Sequence, residues 1–236
     1  MSLKTWLEEF YPITAAQAVK KGKTAALNHS IQKFKGLLAS NLNRHNVKKV
    51  GASVVNSNCK IMYHNVITPP GAVQLDRKLH ARSIFLAGGI SNCNDWQSDL
   101  IAEIHKWDTK PVTLINPRRD DFDISNKAMT EEQIKWEFNA LRQVRIVTFY
   151  FCKETVCPIT LFELGGTLER VKNYWEGSPG LRNCDILIYI EPGYIRTDDV
   201  LTQVHLFREQ MIDKKYIQVF TKKASFELAL FDLLDN

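Results

Sequence analysis

Much is absent from this sequence of 236 residues, and each absence removes a class of function. No apolar run approaches the roughly 20 residues of a membrane span. The N-terminus shows no signal-peptide pattern, because Glu8 and Glu9 interrupt its first apolar stretch. The five cysteines are odd in number and contain no CxxC pair, which argues against a disulfide framework or a zinc site. A reducing, cytoplasmic setting is therefore expected. The histidines are scattered and no pair has metal-ligand spacing. There is no Walker motif, no GxGxxG, no internal repeat and no low-complexity tract.

What remains is an ordinary globular composition, 44% hydrophobic and 24% charged. The length suits one large domain, or one domain plus a small module. The net charge of +5 is unevenly spread. Residues 1–80 carry 12 Lys+Arg against 3 acids, or +9, and the remainder carries 19 against 23, or −4. That asymmetry reads either as a solvated basic surface or as an attraction to phosphate, with nucleic acid as a candidate partner. Residues 1–80 are read as a basic N-terminal module. Within it, 3–10 and 25–38 are candidate helices, "KKVGASVV" and "CKIMYHNVI" are candidate short strands, and "TPPGA" is a turn or linker.

From residue 81 onward the pattern becomes regular. The apolar runs "SIFLAGG", "PVTLI", "RIVTFYF", "CDILIYI" and "YIQVF" read as strands, each followed by a helical stretch. Asn94 or Asp95 can cap the first of those helices, whose apolar positions are Trp96, Leu100, Ile101, Ile104 and Trp107. Thr130 and Gln133 read as a capping box for another, running to about Gln143, with Ile134, Phe138 and Leu141 at core spacing. Pro158 suits the first turn of a helix that runs to about Trp175. Five alternations of strand and helix predict an α/β fold, a doubly wound five-stranded parallel sheet of the flavodoxin or Rossmann type over residues 81–236. Ligands bind such sheets beyond the carboxyl ends of the strands. The segments expected there are "GGISNCND", "NPRRDDFD", "CKETVCP" and "EPGYIRTDD".

Two carboxylates stand out. Glu163 falls about one and a half turns into the helix that starts at Pro158, followed by Gly165 and Gly166, which weaken a helix by roughly 1 kcal/mol each. It reads either as a surface glutamate whose glycines allow helix–sheet contact, or as a cleft carboxylate beside a close-approaching ligand or backbone. The amide dipoles of the helix start would favour its ionised form. Glu137 lies on or beside an apolar stripe, where burial would raise its pKa, or else it is a boundary residue paired with Arg142. Together they would supply one ionised carboxylate and one able to carry a proton, as displacement at a sugar carbon requires. In "NPRRDDFD", Arg118 and Arg119 read either as internal ion pairs of a solvated loop or, with Asn116, as holders of a base edge or phosphate. Tyr194 and Arg196 in "EPGYIRTDD" are further candidates, against a plain turn and a helix cap at Asp198.

The ordered set "SIFLAGGI…DWQ", "INPRRDDFD", "QIKWEFNALRQVRIVTFYF" and "PITLFELGG" resembles the nucleoside 2-deoxyribosyltransferase-like family over roughly residues 82–220. The resemblance implies that Glu163 attacks the anomeric carbon of a 2-deoxyribosyl group and that Glu137, aspartate in most members, contacts the departing base. It further implies that the Phe85–Gly89 segment, with Gly88 and Gly89, lines the base and sugar pocket, and Trp96 is a further substrate-binding candidate. Two positions depart from the family. Cys157 stands six residues before the nucleophile, where better-known members hold the sugar 5′-hydroxyl with an acid, and Phe85 replaces a frequent tyrosine. A thiol accepts weakly from a hydroxyl unless ionised, which opens the way to a deoxynucleotide substrate. The expected activity is base exchange between a deoxynucleoside or deoxynucleotide and an acceptor nucleobase. The rivals are a nucleotide N-glycosidase and an inactive nucleotide-binding sensor. No metal or redox cofactor is called for, no membrane partner is expected, and a homo-oligomer is.

Overall fold

Strands form where β-branched and aromatic residues run together. Ile146–Phe151 and Asp185–Ile190 are buried along their whole length, as strands covered on both faces must be. The computed structural model describes residues 64–107, 110–172, 184–211 and 213–235. Within them the strands are β1 (Asn65–Ile67), β2 (Ser83–Gly88), β3 (Thr113–Ile115), β4 (Ile146–Phe151), β5 (Asp185–Ile190) and β6 (Ile217–Phe220). All pair in parallel, in the order β1-β3-β2-β4-β5-β6. The helices are α1 (Arg77–Ala81), α2 (Trp96–Trp107), α3 (Lys127–Ala140), α4 (Pro158–Lys172), α5 (Thr197–Glu209) and α6 (Lys223–Asp235).

The sheet has six strands where five were expected. The extra one, β1, comes from "CKIMYHNVI" and pairs with β3 through Asn65↔Thr113, Val66↔Leu114 and Ile67↔Ile115. The chain divides into two units, Met1–Lys60 and Ile61–Asn236. Residues 65–81 thus belong with the sheet rather than with the basic module. The helices 3–10 and 25–38 and the strand "KKVGASVV" lie outside the described residues.

Alternation along the strands builds two cores. Val147, Phe149 and Phe151 of β4 and Ile186, Ile188 and Ile190 of β5 face Ala140 of α3, Leu164 and Leu168 of α4, and Val200 and Val204 of α5. Ile146 and Tyr150 of β4, with Leu187 and Tyr189 of β5, face Trp96, Leu100 and Ile104 of α2 and Phe226, Leu230 and Leu234 of α6. Each fully buried side chain of this size stabilises the fold by about 1.5–3 kcal/mol. Among the described residues no helix is long and apolar enough to cross a membrane.

Strand order reverses between β2 and β4, since β2 is followed in sequence by β3 on one side and in space by β4 on the other. Their carboxyl ends, Gly88–Gly89 and Cys152–Cys157, mark the crevice of the fold. Gly88 is required there. A Cβ on it would stand 2.5 Å from Trp96 Cζ2 and 2.6 Å from the Tyr150 carbonyl oxygen. Gly88→Ala is expected to cost about 1–3 kcal/mol by overpacking, read as a lower denaturant midpoint. An unchanged midpoint would mean that the Trp96 ring is not held against the strand.

Candidate functional site

On the Glu163 side of the sheet, α3 is turned against its own hydrophobic pattern, and α4 buries polar groups beside its core residues Leu164 and Leu168. In α3, Ile134 is 57% and Phe138 55% exposed, while Gln133 is buried and Glu137 half-buried. In α4, Ile159 and Phe162 are exposed, whereas Thr160 and Thr167 are buried and Glu163 is half-buried. Of the apolar stripe expected for α3, only Leu141 is in the core. Putting polar groups inward when apolar ones are available costs free energy, and such local inconsistency concentrates at functional sites.

The inward groups meet. The carboxyl groups of Glu137 and Glu163 are hydrogen bonded to each other. Burial raises both pKa values above the ordinary carboxylate range. Glu163 is pushed up to about 8, by burial first and then by the Glu137 charge and the hydrogen bond between them. On Glu137 a hydrogen bond from Gln133, then the one with Glu163, act in the opposite sense to burial. Both carboxyl groups are thus disposed to hold a proton near neutral pH. The dipole of the α4 start, which favours an ionised Glu163, acts against this. Desolvation and a neighbouring like charge outweigh that dipole at this depth into the helix.

Gln133 bonds to one member of the pair. Its Nε2 donates to Glu137 Oε1 at 2.6 Å and to the Pro117 carbonyl at 2.8 Å. The expected capping box does not form. Asn126 caps α3, accepting from the Ala128 and Met129 N–H groups, and the Thr130 hydroxyl donates to the Asn126 carbonyl inside the helix. The i, i+4 spacing of Gln133 and Glu137 was the available clue to their contact.

The open flank of α4 adjoins this pair. Among the described residues, no atom outside α4's own neighbouring backbone lies within 4 Å of a Cβ built on Gly165 or Gly166, so neither glycine makes helix–sheet contact there. Gly166 follows Glu163 by three residues and shares its side of the helix. Gly166→Ala should stabilise the protein by about 1 kcal/mol. If the sugar lies in the vacant strip, the same change raises KM and leaves kcat nearly intact. A stabilised variant with unaltered KM would place the substrate elsewhere.

The other expected residues fall into place as supports. Phe85 is fully buried mid-strand, with its ring 6.2 Å from Trp136. Trp96 stacks on Tyr150 at 4.5 Å and its Nε1 donates to the Gly89 carbonyl at 2.9 Å. Both belong to the cores rather than to an open surface. Gly89 is hemmed in by the Cys152 and Cys93 sulfurs, at 3.0 and 3.1 Å from a Cβ built on it. The Tyr194 hydroxyl donates to the Val156 carbonyl at 2.8 Å, so this residue anchors the loop before α4 from within the core. Arg196 pairs with Asp199.

In "NPRRDDFD" the ion-pair reading describes the structure. Arg119 is bidentate to Asp121, at 2.6 and 2.8 Å, and reaches Glu132 at 3.2 Å. Arg118 Nε donates to Gln97 Oε1 at 3.1 Å and pairs with Asp95 at 3.1 Å, while its Nη2 donates to the Asn94 carbonyl. Asn116 accepts from the Arg118 N–H at 3.0 Å. The buried Gln97, unremarked in the sequence, thus ties the loop after β2 to the loop after β3.

Cys157 is buried, with a left-handed backbone (φ 50°). A hydrogen bond from the Cys152 thiol, then N–H groups of Cys152 and Gly89, hold its pKa below the usual thiol value despite burial. Cys152 is pushed correspondingly up by the same bond. The Cys157 thiol itself donates to the Thr155 carbonyl at 3.5 Å. Among the described residues no cluster of three or more His, Cys, Asp or Glu side chains could hold a metal ion.

Residues 81–175 match the model of the family described as nucleoside 2-deoxyribosyltransferase like. That segment starts just before β2 and includes α3, β4 and α4, hence both glutamates, the crevice loops and Gln133. None of the curated proteins matches the chain.

Proposed function

We propose that this chain is a glycosyl-transfer enzyme acting at C1′ of a 2′-deoxynucleoside or deoxynucleotide, with Glu163 as nucleophile and Glu137 as proton carrier. The observation that carries this reading is the pair of half-buried carboxyl groups, Glu137 and Glu163, in contact with each other and both raised in pKa by burial. The family match supports it, because the matched segment contains both groups.

In this reading the step runs as follows. At rest the proton is on Glu163, which is then a poor nucleophile. Transfer of that proton to Glu137 leaves Glu163 ionised and Glu137 acidic. Glu163 attacks C1′, the C1′–N bond breaks with its electron pair going to the base, and the base takes the proton from Glu137. The deoxyribosyl group is now an ester of Glu163. An acceptor nucleobase attacks C1′ through nitrogen, passes its proton to Glu137 and releases Glu163. Water in place of the acceptor gives hydrolysis.

Incubating the protein with deoxynucleosides and with deoxynucleotides, each with and without an acceptor base, tests the proposal by chromatography. Exchanged base is the expected product. Free sugar in the presence of acceptor would make the protein an N-glycosidase, and binding without turnover would make it a sensor. Either result overturns transfer.

A further inference from the structure

Among the described residues, one side chain distinguishes the surroundings of the two carboxyl groups. Both are half-buried on neighbouring helices, and burial is the first cause of the raised pKa of each. The charged groups around them are occupied with one another. On α3, Glu131 pairs with Lys135 and Glu132 with Arg119, and beyond its end Arg142 lies over the Phe138 ring. On α4, Glu169 pairs with Lys172, and Arg170 sits near the far end of the helix. In the loop before α4, Lys153 lies 4.0 Å from Glu154 and 3.6 Å from Glu191, Cys157 bonds with Cys152, and the Tyr194 hydroxyl is spent on Val156. None of these groups is among the causes that shift either glutamate.

The exception is Gln133, which is 7% exposed. Its two N–H bonds go to two acceptors, the Pro117 carbonyl and Glu137 Oε1. The amide cannot be turned over, since its oxygen would then face two oxygens. In the orientation it takes, Oε1 is buried without a partner. An orphaned acceptor of that kind carries an uncompensated desolvation cost. The cost persists although the neighbouring Ile134 is turned to solvent. One N–H pins the amide to the loop after β3. The other is thereby held on a single oxygen of Glu137, and an N–H donor favours the ionised form of a carboxyl.

We infer that Gln133 is a positioning residue that makes Glu137 the anion of the pair and so stores the resting proton on Glu163, the proton that later leaves with the base. The inference rests on the proposed function only for that last clause. The placement of the proton can be read without substrate.

The test is a carboxyl titration by NMR of the full chain carrying glutamate labelled with 13C at Cδ, with signals assigned through Glu137→Gln and Glu163→Gln. In the unmodified protein Glu137 titrates below Glu163. In Gln133→Met, of similar length but without a donor, the Glu137 midpoint should rise and the Glu163 midpoint fall, narrowing the gap by about one pH unit or more. Gln133→Asn keeps the amide but withdraws it by one methylene, so it should move both midpoints in the same directions and serves if the methionine variant does not fold. Midpoints within about 0.3 unit of the unmodified protein in a folded variant would overturn the inference. Gln133 would then only staple α3 to Pro117. If the midpoints move as expected while no glycosyl transfer is detected, the proposed function fails and the inference stands.

Discussion

Glu163→Gln should abolish turnover and, above neutral pH, leave a more stable protein. The first effect follows from the loss of the nucleophile, which costs on the order of 10⁴-fold or more in rate. The second follows from linkage. Glu163 has a folded-state pKa raised to about 8, from an ordinary value of 4.5. Between those two values the folded protein binds a proton that the unfolded chain has released, so stability is lost as pH rises through that window. Glutamine does not titrate. The advantage of the variant should therefore be absent near pH 5 and reach about 0.5–2 kcal/mol near pH 8, the usual size of such an activity–stability exchange. Melting curves at the two pH values check it. Equal shifts at both would mean that Glu163 is not held protonated. Retention of turnover within about tenfold would remove Glu163 from the chemistry altogether.

Glu137→Gln should divide substrates by the quality of their leaving group. The amide keeps the shape of the site and can still accept from Gln133. It cannot carry the proton that the departing base needs, a contribution of about 10²–10⁴-fold. A natural base should therefore suffer that loss, whereas a 2-deoxyriboside of a stable anion such as 4-nitrophenolate should react almost as before. The pH dependence changes with it. The active form of the pair holds one proton. In the unmodified enzyme kcat/KM should fall above about pH 8, as that proton is lost, and fall again in acid, as Glu137 gains a second one. In Glu137→Gln the alkaline limb should vanish, because an ionised Glu163 is then all that is required. Equal losses for good and poor leaving groups, with the alkaline limb retained, would reduce Glu137 to a structural residue.

The order of strands and helices was legible in the chain because continuous apolar runs such as "RIVTFYF" and "CDILIYI" can only be buried strands of a parallel sheet. The carboxyl ends of those runs marked the crevice, and "PITLFELGG" marked Glu163 by its spacing from Pro158. What the sequence could not decide was which way the helices would turn. Ile134 and Phe138 carry the hydrophobic pattern of α3, yet they face out, while α4 exposes Ile159 and Phe162 and packs Leu164 and Leu168 inward, and Gln133, Glu137 and Glu163 are turned in. Periodicity reports where apolar residues cluster, not which side a site will claim. For the same reason Gln133 read as half of a capping box, and the packing of Trp96, Phe85 and Tyr194 within the cores was not visible in the sequence. The resting place of the proton was equally out of reach. It depends on burial, on a like charge from another helix and on one amide pinned by a carbonyl 16 residues away in sequence, and only the tertiary structure brings those three together.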